Sequence, residues 1–282
     1  MKRIALINDL SGFGKCSLTA AIPVISVLGI QACPLPTAIL TAQTGFDDYY
    51  CDDYTNRMDY FTEKWKQMGM TFEGIHSGYL ASAKQIEKVA HFLQNFKDKH
   101  TLYLADPVMG DHGETYDVFS EELLAGMKEL TVRADVITPN LTELCLLVDE
   151  SYRELILYRC EDDYLDRIQG ICQKLLAKAQ TEQTIIVTGI LRKKDGEEKI
   201  GNFAVSNQDT YYIETPYTGM GFSGTGDLFS SVICGTLVNG LTVREAMEKA
   251  TDFLQIAIKE ASEAKIPQVH GVHFEKYLSR LL

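Results

Sequence analysis

The chain has no unbroken apolar run of about 18 residues, so none of its helices is expected to cross a bilayer. Positive charge is scarce: 27 Lys and Arg stand against 39 Asp and Glu, a formal net charge of -12 over 282 residues. Nucleic acid and anionic membrane repel a chain of this sign, which excludes both as main partners. A small anionic ligand stays admissible where local donors or a cation offset the field. The sequence contains no C-x-x-C; its seven cysteines (Cys16, Cys33, Cys51, Cys145, Cys160, Cys172 and Cys234) are odd in number and scattered. That is the pattern of reduced thiols in a cytoplasmic protein, not of a disulfide framework. The G-x-S-x-G elbow of Ser-His-Asp hydrolases is missing too. With no repeat, low-complexity tract or linker-like break, the expectation is a single domain over residues 1–282. A hydrophobic share of 45% and a charged share of 23% exclude disorder, collagen and coiled coil.

What is present is a series of short apolar runs, each ending in a polar residue. Ile4-Ala5-Leu6-Ile7 ends at Asn8, too short for a signal-peptide core and read as a first strand. Leu102-Tyr103-Leu104-Ala105 ends at Asp106, Ala134-Asp135-Val136-Ile137 at Thr138, and Thr184-Ile185-Ile186-Val187 at Thr188. Runs without alternation suit strands buried on both faces. Between them lie helical patterns. Ser82-Ala83-Lys84-Gln85 predicts a capping box ahead of Ile86, Val89, Ala90, Leu93 and Phe96. Leu165, Ile168, Cys172 and Leu175 make a second stripe, and Thr242-Val243-Arg244-Glu245 opens a third helix with Ala246, Ala250, Leu254 and Ala257. The alternation predicts an α/β fold: a mainly parallel central sheet flanked by helices on both faces. Residues 190–215, with the polar turn Lys193-Lys194-Asp195-Gly196-Glu197-Glu198, predict an antiparallel edge. Residues 109–118 predict a polar, mobile flap.

Ligands of open α/β sheets bind beyond the carboxyl ends of the strands. Asn8-Asp9, Asp106, Thr138-Pro139-Asn140 and Thr188-Gly189 are therefore site candidates by position. Ser223-Gly224-Thr225-Gly226-Asp227 precedes Leu228-Phe229-Ser230-Ser231-Val232-Ile233-Cys234-Gly235, a helix apolar on nearly all sides. Glycines at a helix start let backbone N–H groups wrap an anion, and Asp227 is placed to take a proton from a hydroxyl in the same pocket. A tight turn in which Asp227 only complements the helix dipole is the plainer account.

Other motifs fail on context. Gly219-Met220-Gly221-Phe222-Ser223-Gly224 fits G-x-G-x-x-G but follows Pro216 late in the chain, outside a clear βαβ unit. Gly12-Phe13-Gly14-Lys15 is half a P-loop with Cys16 where Ser or Thr should be. Asp106-Pro107-Val108-Met109-Gly110-Asp111 puts two carboxylates at a strand end, and magnesium needs only one or two besides phosphate oxygens. A turn with solvated acids explains that pair equally well. Asn140 and Glu143 read as N-cap and N3 of a capping box, a role compatible with a phosphate or hydrated metal at the same helix start. His270-Gly271-Val272-His273 has no third metal ligand nearby. The tract Asp47-Asp48-Tyr49-Tyr50-Cys51-Asp52-Asp53-Tyr54 lacks calcium-loop spacing and reads as a solvated helix start or a subunit contact.

Gly224-Thr225-Gly226-Asp227-Leu228-Phe229, Asp106-Pro107-Val108-Met109-Gly110-Asp111 and Ile137-Thr138-Pro139-Asn140, in their order, resemble the vitamin kinases of the ribokinase superfamily, most of all pyridoxal/pyridoxamine kinase, from Ile4 to about Ala261. The resemblance implies ATP-dependent phosphorylation of the 5′-hydroxymethyl group of a B6 vitamer in vitamin B6 salvage. By position it makes Asp227 the base and Gly224, Thr225 and Gly226 the anion hole. Asp106 and Asp111 would lie at Mg2+, with Glu143 acting on the metal through water, and Asn140 and Thr188 at the nucleotide phosphates. Ser11, Thr44 and Tyr79 resemble substrate-pocket positions, and Asp9 is assigned to the same pocket. A homodimer and a monovalent cation (K+) near the nucleotide are also implied. Asn8-Asp9-Leu10-Ser11-Gly12 is instead similar to the hydroxymethylpyrimidine kinases, while Ala42-Gln43-Thr44 is compatible with either. The pyrimidine enzymes typically carry Cys where this chain has Asp227, so the pyridine substrate ranks first. A non-catalytic ligand-binding member of the fold is the reading from another class.

Overall fold

The computed structural model describes residues 1–194 and 196–282, which group into two compact units: Met1–Leu104 with Thr218–Leu282, and Ala105–Tyr217. The first unit opens with β1 (Arg3–Ser11), whose Ile4, Ala5, Leu6 and Ile7 are all buried. It continues through α1 (Ser17–Val27), β2 (Gln31–Leu40), β3 (Cys51–Asp53), α2 (Thr55–Gln67), β4 (Gly74–Ser77), α3 (Ala83–Phe96) and β5 (Leu102–Ala105), whose last residue begins the second unit. The strand order is β5-β4-β1-β2-β3, with β1 parallel to both β2 and β4. A strand with parallel neighbours on both sides is covered on both faces, which explains why its run is continuous rather than alternating.

The second unit holds β6 (Gly110–Asp111), β7 (Glu114–Thr115), α4 (Glu121–Thr131), β8 (Val136–Ile137), α5 (Leu141–Val148), α6 (Tyr152–Leu155), α7 (Tyr164–Leu176), β9 (Thr184–Lys194), β10 (Glu197–Val205) and β11 (Thr210–Pro216). β8 runs parallel to β9, and β9, β10 and β11 form the expected antiparallel edge. Asp195, in the polar turn between β9 and β10, lies outside the described residues. The chain then returns to the first unit for α8 (Thr225–Val238) and α9 (Val243–Glu263). α8 buries every residue from Leu228 to Thr236, as its all-round apolar sequence predicts. The class is thus α/β, with mainly parallel strands, flanking helices and an antiparallel edge.

Three local readings change. Ser82 Oγ accepts the Gln85 N–H at 3.3 Å, but the reciprocal half of the capping box is absent. The Gln85 side chain is fully buried and turns instead to Ala81 N (2.8 Å), Thr37 O (2.9 Å) and Thr55 Oγ1 (2.9 Å). Buried partners outcompete a solvent-side cap for one amide. The acidic-aromatic tract is not simply a helix start: Cys51–Asp53 pairs antiparallel with β2 as an exposed edge strand, and Asp53 Oδ1 then accepts the Thr55 N–H at 2.7 Å where α2 begins. The flap region contains a tight hairpin, with Gly110 opposite Thr115 and Asp111 opposite Glu114. Among the described residues no helix is long and apolar enough to cross a membrane, and all seven cysteines are free.

Candidate active site

In the first unit the carboxyl end of β1 and the starts of α1 and α8 meet on Asp227. Asn8 is buried and spans the group: its Nδ2 donates to Asp227 Oδ1 at 3.1 Å, and its Oδ1 accepts the N–H groups of Asp9 (3.0 Å) and Tyr79 (2.8 Å). Only a glycine fits behind it, since a Cβ on Gly78 would lie 2.4 Å from Asn8 Nδ2. The Ser17 N–H, at the first turn of α1, also donates to Asp227. Burial pushes the Asp227 carboxyl up to about 6; the Asp9 charge adds to this, and the Ser17 and Asn8 hydrogen bonds oppose it. Part of the Asp227 surface nevertheless stays open. A carboxylate that is poorly hydrated, reachable, and titrating just below neutrality has the properties of a general base.

Gly224 caps α8 in the left-handed region (φ 79°) against the Lys15 carbonyl, and no side chain caps that helix. The first-turn N–H groups of Gly226 and Asp227 have no intrahelical acceptor, and Gly226 is exposed, with nothing within 4 Å of where a Cβ would stand. An anion can therefore approach bare backbone here. Thr225 Oγ1 is turned back onto Phe222 O at 2.9 Å.

The substrate-pocket candidates are placed unevenly. Asp9 is buried, with Ser11 Oγ donating to its Oδ2 at 2.9 Å and Ser17 Oγ to its Oδ1. Tyr79 is half-buried, and burial pushes its hydroxyl up to about 12. Thr44 is exposed, whereas its neighbour Gln43 is buried and donates to Ser223 Oγ (3.3 Å) and Val269 O (3.0 Å). Asn8, Ser17 and Gln43 thus carry more of the architecture than the motif residues suggest. Asn8 was discernible as a polar strand end; Ser17 and Gln43 had no spacing signal. Lys15 of the half P-loop pairs with Glu275 at 2.7 Å. His270 packs on Phe13 and Phe46, with ring centroids 5.3 and 5.6 Å away.

The second unit assembles its own set. Thr188 N donates to Pro139 O at 2.9 Å, and Asn140 bridges to Thr188, so the residues after β8 lie beside the middle of β9, which runs on past the end expected at Thr188. The Thr138 hydroxyl is buried there without a hydrogen-bond partner. Asn140 and Glu143 form the expected capping box: Asn140 Oδ1 accepts Glu143 N at 3.0 Å and Glu143 Oε2 accepts Asn140 N at 2.9 Å. Glu143 Oε1 takes the Met109 N–H at 3.1 Å, and Asn140 Nδ2 donates to Gly110 O at 2.8 Å, which ties the hairpin to α5. Further along, Gly113 N donates to Thr142 Oγ1 at 2.8 Å.

Asp106 is buried after β5 and Asp111 is exposed on the hairpin. Burial holds the Glu143 carboxyl well above the usual carboxylate range, and the charges of Asp106 and Asp111 push it the same way. A buried carboxyl whose proton affinity is raised by two neighbouring carboxylates fits a divalent cation, which would relieve the repulsion. Among the described residues, however, no three His, Cys, Asp or Glu side chains form a ready-made metal cluster. Magnesium keeps its own waters and takes few protein ligands.

The profile of the phosphomethylpyrimidine kinase family matches residues 16–272. A candidate phosphomethylpyrimidine kinase of Bacteroides thetaiotaomicron, crystallised with pyridoxal, is 35% identical and superposes with a TM-score of 0.90 over 99% of this chain and 95% of its own. The pyridoxal kinase of Lactobacillus plantarum is 25% identical, with a TM-score of 0.87 over 100% of this chain and 97% of its own. A candidate pyridoxal kinase of Caenorhabditis elegans is 28% identical over 206 residues, 69% of this chain, and the match spans 60% of that relative's length.

Proposed function

The chain belongs to the phosphomethylpyrimidine kinase family, as a pyridoxal kinase-like protein of the ribokinase superfamily, and from that premise we propose that it transfers the γ-phosphoryl group of ATP to the 5′-hydroxymethyl oxygen of a B6 vitamer. The products are the vitamer 5′-phosphate and ADP, as in B6 salvage, with residues 1–282 acting as one kinase domain that pairs as a homodimer. The observation that carries this reading is Asp227: a base-like carboxylate in the first turn of a helix whose start is bare, glycine-rich backbone. The hydroxyl oxygen bonds to phosphorus as its proton passes to Asp227, and the bond to ADP breaks. Phosphoryl transfer needs alignment and charge neutralisation more than covalent help. The N–H groups at Gly226 and Asp227 meet the developing equatorial charge, held in place by Gly224 and Thr225.

Asn140 and Thr188 are assigned to the nucleotide phosphates, and Ser11, Thr44 and Tyr79 to the vitamer side. Asp106 and Asp111 would hold magnesium, with Glu143 acting through water; the metal supplies neutralisation that a chain of net charge -12 cannot provide by its overall field. A monovalent cation near the nucleotide belongs to the same proposal.

One observation favours a second reading. The family description and the Bacteroides relative both name phosphomethylpyrimidine, although that relative was crystallised with pyridoxal. ADP release measured with pyridoxal, pyridoxamine, pyridoxine and hydroxymethylpyrimidine separates them. At least one B6 vitamer should show a higher kcat/KM than the pyrimidine; the reverse order makes the pyrimidine the substrate. No ADP release with any of the four would return the chain to the non-catalytic reading.

The hairpin gives a second test. Its anchors on Asn140, Thr142 and Glu143 hold residues 109–118 beside the phosphate-side candidates, where closure would exclude water. Amide exchange over 109–118 should slow when nucleotide and vitamer are bound together. Exchange unchanged by both ligands would leave the hairpin with no part in closure.

A further inference from the structure

Asp9 lies next to the Asp227 network, yet both of its oxygens already accept serine hydroxyls. One of those serines, Ser17, has a left-handed backbone (φ 49°), a conformation that side chains other than glycine, asparagine and aspartate avoid. Its amide is the one that donates to Asp227. Its neighbour Lys15 is also left-handed (φ 48°), and the Lys15 carbonyl packs on Gly224. The turn that leads into α1 is therefore strained at two residues, and the bond from Ser17 Oγ to Asp9 holds it at the residue whose amide reaches Asp227.

We propose that Asp9 is a positioning residue for Asp227: it clamps Ser17 so that the Ser17 amide is delivered to the Asp227 carboxylate, and it sets a second negative charge beside that carboxylate. This extends the kinase reading and departs from the placing of Asp9 in direct contact with substrate. The two effects oppose each other. The clamped N–H favours the ionised Asp227, while the Asp9 charge disfavours it. Burial raises the Asp9 carboxyl above its ordinary value, and the two hydroxyl donors, the partners an ionised carboxylate accepts, oppose that rise.

Few other groups bear on this balance. The Cys16 thiol, between the two strained residues, is pushed up to about 12 by burial and by both carboxylates, and stays neutral. α8 packs on α1, α9 and β4. α1 has no ionisable residue, α9 buries only uncharged side chains, and burial lowers His76 of β4 to about 4. Tyr79 and Cys51 feel the Asp9 charge but remain protonated at neutral pH.

The test is a carbon-13 titration of aspartate carboxyls in the ligand-free protein, with the Asp227 signal identified by its loss in Asp227→Asn. Asp9→Asn keeps an acceptor for Ser17 while removing the charge, and should shift the Asp227 titration down by about one pH unit. Ser17→Gly accepts the left-handed backbone without strain, so it folds, but it has no hydroxyl to clamp; it should shift the titration up by several tenths of a unit. The acid limb of the kcat profile should move the same way in each variant, with vitamer KM little changed. Absence of either shift overturns the proposal, as does a raised vitamer KM with an unmoved acid limb in Asp9→Asn. Because the carboxyl titration needs no turnover, both shifts in a protein that phosphorylates nothing would refute the kinase reading and leave the positioning role standing.

Discussion

Asp227→Asn is expected to lower kcat by about 10²–10⁴-fold, the usual worth of a general base, and to raise the melting temperature at pH 7. The first effect follows because Asn keeps the shape and can still accept a hydrogen bond from Ser17 or Asn8, but it cannot take the hydroxyl proton. Vitamer and ATP affinities should change much less, since the glycine cradle is untouched. The second effect follows from the proton balance. Burial raises the Asp227 carboxyl to about 6 in the folded chain, against an ordinary value of 3.8. Below 3.8 both states hold the proton; between 3.8 and 6 the folded state holds a proton that the unfolded state has released, so stability falls as pH rises through that window. Above about 6 the full cost is present, at most about 3 kcal/mol. Solvent on the open side of the carboxylate reduces it to about 1–2 kcal/mol. Removing the charge recovers that amount, several degrees for a protein of this size.

The wild-type kcat should also fall with a midpoint near pH 6 on the acid side, and this limb should vanish in the variant's residual activity. A carboxylate that only complemented the helix dipole would stabilise the fold by about 0.3–1 kcal/mol, so its loss would lower the melting temperature and leave turnover intact. Measuring kcat, ligand Kd and melting temperature on one preparation distinguishes the two. Near-normal kcat, or a lower melting temperature with the acid limb retained, would end the assignment of Asp227 as base.

Much of this site was legible because helix starts and strand ends have local grammar. Gly224-Thr225-Gly226-Asp227 ahead of an all-apolar helix, and Asn140 with Glu143 at capping spacing, could be placed from a few neighbouring residues, and the structure finds both helices starting there. The buried strand runs of β1, β5 and β9 were visible for the same reason. What could not be read is set by contacts distant in sequence. Gln85 looks like a capping residue until Thr37 and Thr55 arrive from elsewhere to claim its amide. Ser17 gains its importance from a backbone conformation and from Asp9, eight positions away, neither of which has a spacing rule. Gln43 has no local signal for its anchoring role, because its partners, Ser223 and Val269, lie some two hundred residues further on. Local pattern finds the groups that do chemistry; tertiary packing decides which groups hold them.

Gly224 is where positioning and chemistry can be pulled apart. Gly224→Ala would place a Cβ 2.1 Å from Lys15 O and 3.0 Å from Cys16 Cα, at a φ of 79°. The left-handed backbone alone costs a non-glycine residue about 1–2 kcal/mol, and the clash is with backbone that cannot rotate away. Either the start of α8 or the turn before α1 must shift, and Asp227 is held by both. The variant should therefore melt several degrees lower and lose kcat by about 10²-fold or more, the scale seen when a transition-state donor is misplaced. Gly226→Ala is the matched contrast. Its Cβ would meet nothing within 4 Å, its φ is not in the left-handed region, and alanine is the better helix residue by about 0.8–1 kcal/mol. Stability should hold or rise. Its activity should nonetheless fall, because the added methyl stands over the exposed backbone that the transferred phosphoryl group approaches. A Gly226→Ala enzyme as stable and as active as the wild type would show that no anion comes to this helix start, and a Gly224→Ala enzyme with unchanged kcat would show that its geometry does not matter for turnover.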